Sequence, residues 1–424
     1  MKKLLAVMIA LLLSLSAMPV LAEEPVEITF WDFPNFTQED GVAGSYEQRI
    51  IDAFTEKYPH ITVNLEMLDF DAGPEKITTA ILAGTTPDVI FDAPGRIITW
   101  AEAGALAPLD DMFTQEDLDD YGAFMSACTY DESIYMYPQG SAPFLMAFNK
   151  TMLEEHGLLD MINLEGDRAW TLDEYEALLR ALQEKGEMGA VIFCRTQGGD
   201  QGTRAYLANL HGGSVLNEDM TAYTLNDEDG VAALQWVVDM INEDLLINGS
   251  AYDGTGAIDE FCAGRVSHTI LWSPGLLKTR AAELEEMEIE AVFVPFPSTS
   301  GTYALEFLAA GMCVFDNGDT DRIEAAKLFV DFVCNDPEWG PANLQSTGNF
   351  SPRASVQVES DDPEVLYAAS CSTHYAPYYN TVNGFAEMRT YWFPALQAAL
   401  NGEMTPQEAM DGFVESANTT LGVK

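Results

Sequence analysis

Cations are scarce in this chain. Lys and Arg number 20 against 68 Asp and Glu in 424 residues, a formal charge of −48. A field of that sign repels phosphate backbones and anionic lipid, so nucleic acid and membrane surfaces are excluded as partners. Histidine is rare too, five residues scattered without metal-ligand spacing. The cysteines are Cys128, Cys194, Cys262, Cys313, Cys334 and Cys371, with no CxxC or Cys/His spacing of a zinc site. No metal and no cofactor is expected. The even count permits disulfides but chooses no pairing, and Cys194 and Cys313 lie in apolar strand-like runs that suit buried thiols as well as bridges. Beyond the first residues no stretch is apolar enough to cross a bilayer, and there is no internal repeat or low-complexity tract.

What is present points to export. Met1-Lys2-Lys3 is a basic start, Leu4 to Leu15 an almost continuous apolar run, and Val20-Leu21-Ala22 a small-residue cleavage point. That is the layout of a cleaved signal peptide over 1–22, and the run is short for a membrane span. No cysteine lies near the cleavage point, so no lipid anchor is indicated. The expected location is periplasmic or extracellular. Hydrophobic residues at 47% and charged residues at 21% are globular values, and the length exceeds what one core supports, so two lobes are expected.

The order of elements is α/β. VEITFW (26–31) alternates as a strand, 46–58 has helical spacing, 61–65 is a second strand, and a second helix runs to Leu82. Ala83-Gly84-Thr85-Thr86-Pro87 stops that helix, and Val89-Ile90-Phe91 is a buried strand ending in the turn Asp92-Ala93-Pro94-Gly95. Strand–helix–strand–helix–strand predicts a parallel sheet, with ligands beyond the carboxyl ends of its strands. Asp92 belongs at such an end, and Asp88 supports the turn before it. Pro138-Gln139-Gly140-Ser141 reads as an extended link between lobes, 304–315 as a second crossing, and 346–351 as a third break. Residues 278–290 read as one acidic helix, and the chain beyond Pro352 as helical to its end.

The motifs ITFWD, AGTTPDVIFDA, YMYPQGSAPFLMAFNK, ANLHGGSVLNED, FCAGRVSHTILWSPG, ALEFLAAGMCVF and ALNGEMTPQEAMD follow the export signal in order. Together they resemble the family 1 extracellular solute-binding proteins, the maltose-binding-protein-like receptors of ABC importers, over nearly the whole mature chain. Ser267-His268 departs from that family, which usually has a small residue and methionine there. The resemblance implies a two-lobed, type II-like periplasmic-binding-protein fold with three crossings and one ligand in the interlobe cleft. It places 23–138 plus 309–348 in lobe 1 and 139–308 plus 349–424 in lobe 2. It also implies a non-enzymatic, monomeric receptor that passes a carbohydrate to the transmembrane subunits of an ABC permease.

A sugar needs flat aromatics for its C–H faces and carboxylates, amides and guanidinium groups for its hydroxyl edge. One aromatic face of about 150 Å² yields about 4 kcal/mol gross, whereas micromolar binding needs about 8 kcal/mol net. Contacts from both lobes are therefore required. The resemblance assigns Trp272 to stacking and Asp92 and Arg96 to the polar lip of lobe 1. Asn35 and Phe36 belong to the loop after the first strand. Tyr137 and Gln139 sit on the first crossing and Glu306 and Phe307 on the second. Arg195 follows a buried strand, and Tyr378, Arg389 and Trp392 come from the tail. Two rivals compete: a secreted glycoside hydrolase with Asp92 and Glu306 as acid and base, and a receptor for a metal or polyamine, since Tyr378-Tyr379 resembles the paired tyrosines of ferric-binding proteins. The same fold also suits a sensor's ligand-presenting partner.

Overall fold

The computed structural model describes residues 24–38, 41–70, 72–212, 215–376, 382 and 384–422. The expected signal peptide and the Tyr378-Tyr379 pair lie outside them. No helix among the described residues is long and apolar enough to cross a membrane.

The first third alternates as its apolar periods require. β1 (Val26–Asp32), α1 (Ser45–Lys57), β2 (Ile61–Met67), α2 (Gly73–Ala83), β3 (Val89–Asp92) and α3 (Pro94–Glu102) follow one another. β1 pairs in parallel with β2 on one side and β3 on the other. The turn expected at 92–95 is tighter than anticipated. Ala93 is extended and Pro94 opens α3 directly, because proline's fixed φ and missing N–H suit a first helical position. Asp88 accepts hydrogen bonds from Thr29 N (2.7 Å), Asn317 Nδ2 (2.6 Å) and Arg322 Nη2 (2.7 Å). It is a buried brace for the start of β3.

After α4 (Gln115–Tyr121) and the hairpin β4 (Thr129–Tyr130) and β5 (Ser133–Ile134) comes β6 (Tyr137–Pro143), then β7 (Leu145–Asn149). Residues 138–141 are thus strand, not link. The first crossing falls at Phe144, because Gly140 and its neighbours are held by ladder bonds to the returning strand. That strand, β12 (Phe307–Val314), runs antiparallel to both β3 and β6 and completes a five-stranded sheet in the order β2-β1-β3-β12-β6.

The second lobe carries α5 (Lys150–His156), α6 (Leu172–Lys185), β8 (Val191–Phe193), α7 (Asp200–Leu210), α8 (Glu228–Asn242), β9 (Ile247–Gly249), α9 (Gly254–Cys262), β10 (His268–Trp272), α10 (Pro274–Thr279), α11 (Ala281–Glu286) and β11 (Ala291–Val294). β10, β7 and β11 form an antiparallel sheet, and β8 pairs with β9 in parallel. Thr171 opens α6 with a full capping box, and the side chain of Asp227 caps α8. The single acidic helix expected over 278–290 is two short helices that break at Arg280.

The chain then gives α12 (Thr320–Asn335) and α13 (Trp339–Thr347) to lobe 1 and α14 (Pro363–Ser370), α15 (Phe385–Leu400) and α16 (Pro406–Thr420) to lobe 2. Two separate cores result. One joins Ile28 through Tyr137 to Ala310 through Val333, the other Phe144 through Leu305 to Tyr367 through Ala417. The stretch after Pro352 is not helical at first. Arg353 reaches back to Asp117 (3.0 Å) and lies 4.2 Å over the Tyr121 ring, and Ser355 N donates to Asp120 (2.8 Å), so this segment is strapped onto lobe 1. At the third crossing Gly348, at φ 68°, abuts Gly275 so closely that a Cβ would lie 2.5 Å from its Cα. All six cysteines are free thiols.

His268 closes a polar chain inside lobe 2. Its ring stacks on Phe148 at 4.4 Å, Nε2 meets Tyr175 Oη at 2.7 Å, and Nδ1 meets Ser267 Oγ at 2.9 Å. Tyr206 donates to Tyr175 at 3.2 Å. Burial pushes the imidazole down to about 3, so it is neutral. The departure from the resembled family at 267–268 is therefore a packed, satisfied core feature.

Candidate functional site

The sheet of lobe 1 aims its polar end at lobe 2. β12 arrives from lobe 2 at Phe307 and runs antiparallel to β3, so the carboxyl ends of β1 and β3 face the other lobe. Asp32 ends β1 and Asp92 ends β3. Asp92 stands opposite Gly311 of β12, and Gly311 stands opposite Pro138 of β6. The register slips there: Ala310 pairs with Gly140 and Gly311 with Pro138, leaving Gln139 as the extra residue of a bulge. Bulges re-aim side chains. Gln139 is only 7% exposed, yet neither end of its amide has a partner among the described residues.

Asp92 is buried and grips Arg96 with two bonds, one of them Nε to Oδ2 at 2.6 Å, while the Arg96 guanidinium lies 5.4 Å over Phe33. Phe33 stacks on the exposed Phe70 at 5.1 Å. Asn35 donates to Asp32 Oδ1 (3.2 Å). Asp32 Oδ2 and Glu47 Oε1 are buried without partners among the described residues. Burial, then the charge of Glu47, holds the Asp32 carboxyl well above its ordinary range, and burial raises Glu47.

Lobe 2 answers with a buried ionic network. Asp200, at the start of α7, receives Arg389 Nε (2.9 Å) and Nη2 (2.8 Å) from α15 and lies 2.5 Å from Arg204 Nη1. Glu306 of the second crossing stands 3.9 Å from Arg204 Nε. Both guanidinium groups flank Phe385, at 5.6 and 5.9 Å. Burial pushes the Asp200 carboxyl up, but the two arginines outweigh it and keep it below its ordinary range. Phe307 stacks on Tyr375 at 4.3 Å beside this network.

Several expected site residues are packed or paired within their own lobe. Trp272 is 0% exposed and packs edge-on against Phe261 at 5.3 Å, within the lobe 2 core. Trp392 is enclosed and donates to Thr203 Oγ1 (2.9 Å). Phe36 lies in the lobe 1 core against Tyr46 and Phe91. Tyr137 stacks on Phe113 at 4.7 Å and accepts from Asn335 (2.6 Å). In each case a large ring at a strand or helix end gains more by filling its own lobe than by lining a wet wall. Arg195 is half exposed and paired with Asp253 at the cap of α9. Tyr378 lies outside the described residues. The structure thus groups Asn35, Asp92, Arg96 and Gln139 on lobe 1, and Glu306, Phe307 and Arg389 on the lobe 2 side. Sequence reasoning missed Asp32, Glu47, Asp200, Arg204, Tyr375 and Phe385. The i, i+4 spacing of Asp200 with Arg204 and of Phe385 with Arg389 was the readable signal.

The profile of bacterial extracellular solute-binding proteins matches residues 39–337. The chain belongs to this family. A binding protein of Brucella abortus is 24% identical over 391 residues, covering 89% of this chain and 90% of the relative. Among solved structures, the GacH receptor of Streptomyces glaucescens, known unliganded and with acarbose, superposes with a TM-score of 0.79 at 20% identity over 94% of this chain and 99% of its own. A Listeria monocytogenes ABC substrate-binding protein in complex with cycloalternan gives 0.77 at 20% identity, over 95% of this chain and 100% of its own. Maltose-bound MalE3 of T. maritima gives 0.75 at 19% identity, over 93% and 99%. At these identities the likeness establishes the two-lobed α/β fold of this solute-binding protein.

Proposed function

We propose that this solute-binding protein is exported and captures a carbohydrate, an oligosaccharide or glycoside, between its lobes. It acts as a monomer and delivers the closed complex to the transmembrane subunits of an ABC permease, performing no chemistry on its cargo. The observation that carries this reading is Gln139, a buried amide with donor and acceptor both unspent at a bulge facing the other lobe. An unspent buried amide is costly, and a sugar hydroxyl, which both donates and accepts, relieves it. Arg96, Asp92 and Asn35 line the same wall, and Arg389, Phe385 and the Phe307–Tyr375 stack oppose it. Cycloalternan, acarbose and maltose in the structural neighbours support the same substrate class.

A hydrolase reading is disfavoured by the partners of its two acids, since Asp92 is committed to Arg96 and Glu306 stands by Arg204. A thermal-shift screen of sugars tests the proposal, because a ligand of the folded state raises apparent stability by mass action. Sugars are expected to shift the transition upward, and Gln139→Leu to weaken that shift while stabilising the unliganded protein. A panel in which only a metal or polyamine shifts it, or oligosaccharide cleavage by the purified protein, overturns the reading.

A further inference from the structure

Aromatic rings in this chain are spent on its cores, with one exception. Among the described residues a single aromatic side chain is exposed, Phe70, at 47%. It lies in the loop between β2 and α2 and stacks on Phe33, with ring centroids 5.1 Å apart and planes within 7° of parallel. Phe33 is itself held in place. The Arg96 guanidinium lies 5.4 Å over its ring, and Gly73 in the first turn of α2 comes so close that a Cβ there would lie 2.6 Å from Phe33 Cε1. Leu68 N donates to Asp32 O (2.7 Å), tying the exit of β2 to the exit of β1. The plane of Phe70 is therefore set before any ligand arrives, which lowers the ordering cost of a contact made on it. Its position is equally defined. β2 is parallel to β1 and β3, so its loop leaves the sheet at the edge that faces lobe 2. β2 and β6 are the outer strands of that sheet, and four strand spacings, about 19 Å, separate them. Gln139, its amide unspent, stands on β6 level with Asp92. One edge thus carries, in order, Gln139, Asp92 with Arg96, Phe33 and Phe70.

We infer that Phe70 is an outer stacking site for a sugar ring, so that the cargo is an oligosaccharide lying along the lobe 1 edge from Gln139 to Phe70. The inference rests on the carbohydrate reading above and narrows it to a size and a direction. The C–H face of a sugar covers the part of the Phe70 ring that Phe33 leaves wet, and the apolar area removed from water favours binding. A single ring held at Gln139 leaves Phe70 about 19 Å away and solvated. Only a chain of several rings covers both, so affinity rises with chain length until the Phe70 end is reached.

Calorimetric titration of the full-length mature protein tests this. The probes are linear mono- to hexasaccharides of the α- and β-linked glucose, galactose, mannose and xylose series. In the series that binds, affinity is expected to climb with chain length. Phe70→Ala is expected to weaken the longest members about tenfold, the size of one aromatic contact, while leaving the shortest that bind unchanged. Phe70→Tyr keeps the flat ring and is expected to restore the gain. The side chain is exposed, so both variants keep the fold, which circular dichroism checks. An affinity independent of chain length, or a length-dependent gain that Phe70→Ala retains, overturns the inference and leaves the carbohydrate reading standing. The same holds for a loss in Phe70→Ala that is equal for short and long members. Failure of every series to bind overturns both.

Discussion

The two walls of the cleft hold their charges in opposite ways. In lobe 2, Asp200 and Glu306 stand against Arg204 and Arg389, two acids to two bases, and Asp200 takes both guanidinium groups. In lobe 1, Asp92 holds Arg96, while Asp32 and Glu47 each keep a buried carboxyl oxygen without a partner among the described residues. A matched buried network is a scaffold: it fixes where Arg389 and Phe385 stand, and removing one member strands the rest. An unmatched one stores unfavourable free energy until something completes it, which is the arrangement expected where a ligand is bound. The difference predicts that the lobe 2 wall is the more rigid of the two.

The largest effect should come from breaking the matched side. Asp200→Asn leaves two buried guanidinium groups without their shared counter-charge, a loss of about 3–5 kcal/mol. In a lobe of this size that lowers the melting temperature by roughly 10 °C in scanning calorimetry. A melting temperature within a degree or two of wild type would mean that the network is not a scaffold. His268→Met comes next. It strips the Tyr175 hydroxyl of one partner, at a cost of about 1–3 kcal/mol near neutral pH. It also removes a titration. The folded imidazole ionises at about 3 and the unfolded one near 6.5, so the unfolded chain takes the proton first as pH falls. The stability this neutral ring provides is complete above pH 6.5 and declines below it, by up to ~1.4 kcal/mol per pH unit. Urea melts across this range should show wild type losing stability more steeply than the variant.

The sequence disclosed the fold more fully than the site, for a physical reason. Period-2 and period-3.6 patterns are written by burial, so VEITFW, VIF and the helix after Tyr46 declared their places in lobe 1. Asp88 declared its role through its position before β3. Trp272, Trp392, Phe36 and Tyr137 were expected at the cleft, and the structure buries each of these rings; composition does not reveal which way a ring near a strand end or in the tail turns. Gln139 was legible only as part of a link; the bulge that isolates it depends on pairing with β12, far away in sequence. Asp32 was passed over inside ITFWD because its partner Glu47 comes from another element, and no local pattern joins them.

The smaller predictions test the unmatched wall and the strap beside it. Asp32→Asn should stabilise the unliganded protein by about 1 kcal/mol near neutral pH, opposite in sign to Asp200→Asn, because the amide is uncharged and offers Glu47 a donor. The pH dependence is also opposite to that of His268. With its folded ionisation raised above 3.8, Asp32 contributes most below that value, and the contribution is lost as pH rises through the folded titration. Chemical melts at neutral pH that show the variant less stable than wild type would mean the carboxyl already has a structural partner. The least effect belongs to Arg353→Ala. It removes ion pairs to Asp117 and Asp120 at 3.0 and 3.4 Å and a cation over Tyr121, all partly solvated, so the loss should stay below about 1 kcal/mol. Most of the ionic part should vanish in 1 M salt, where screening acts within about 3 Å. A loss as large as that of Asp200→Asn would instead make the strap after the third crossing, rather than the buried network, the element that holds the two walls in register.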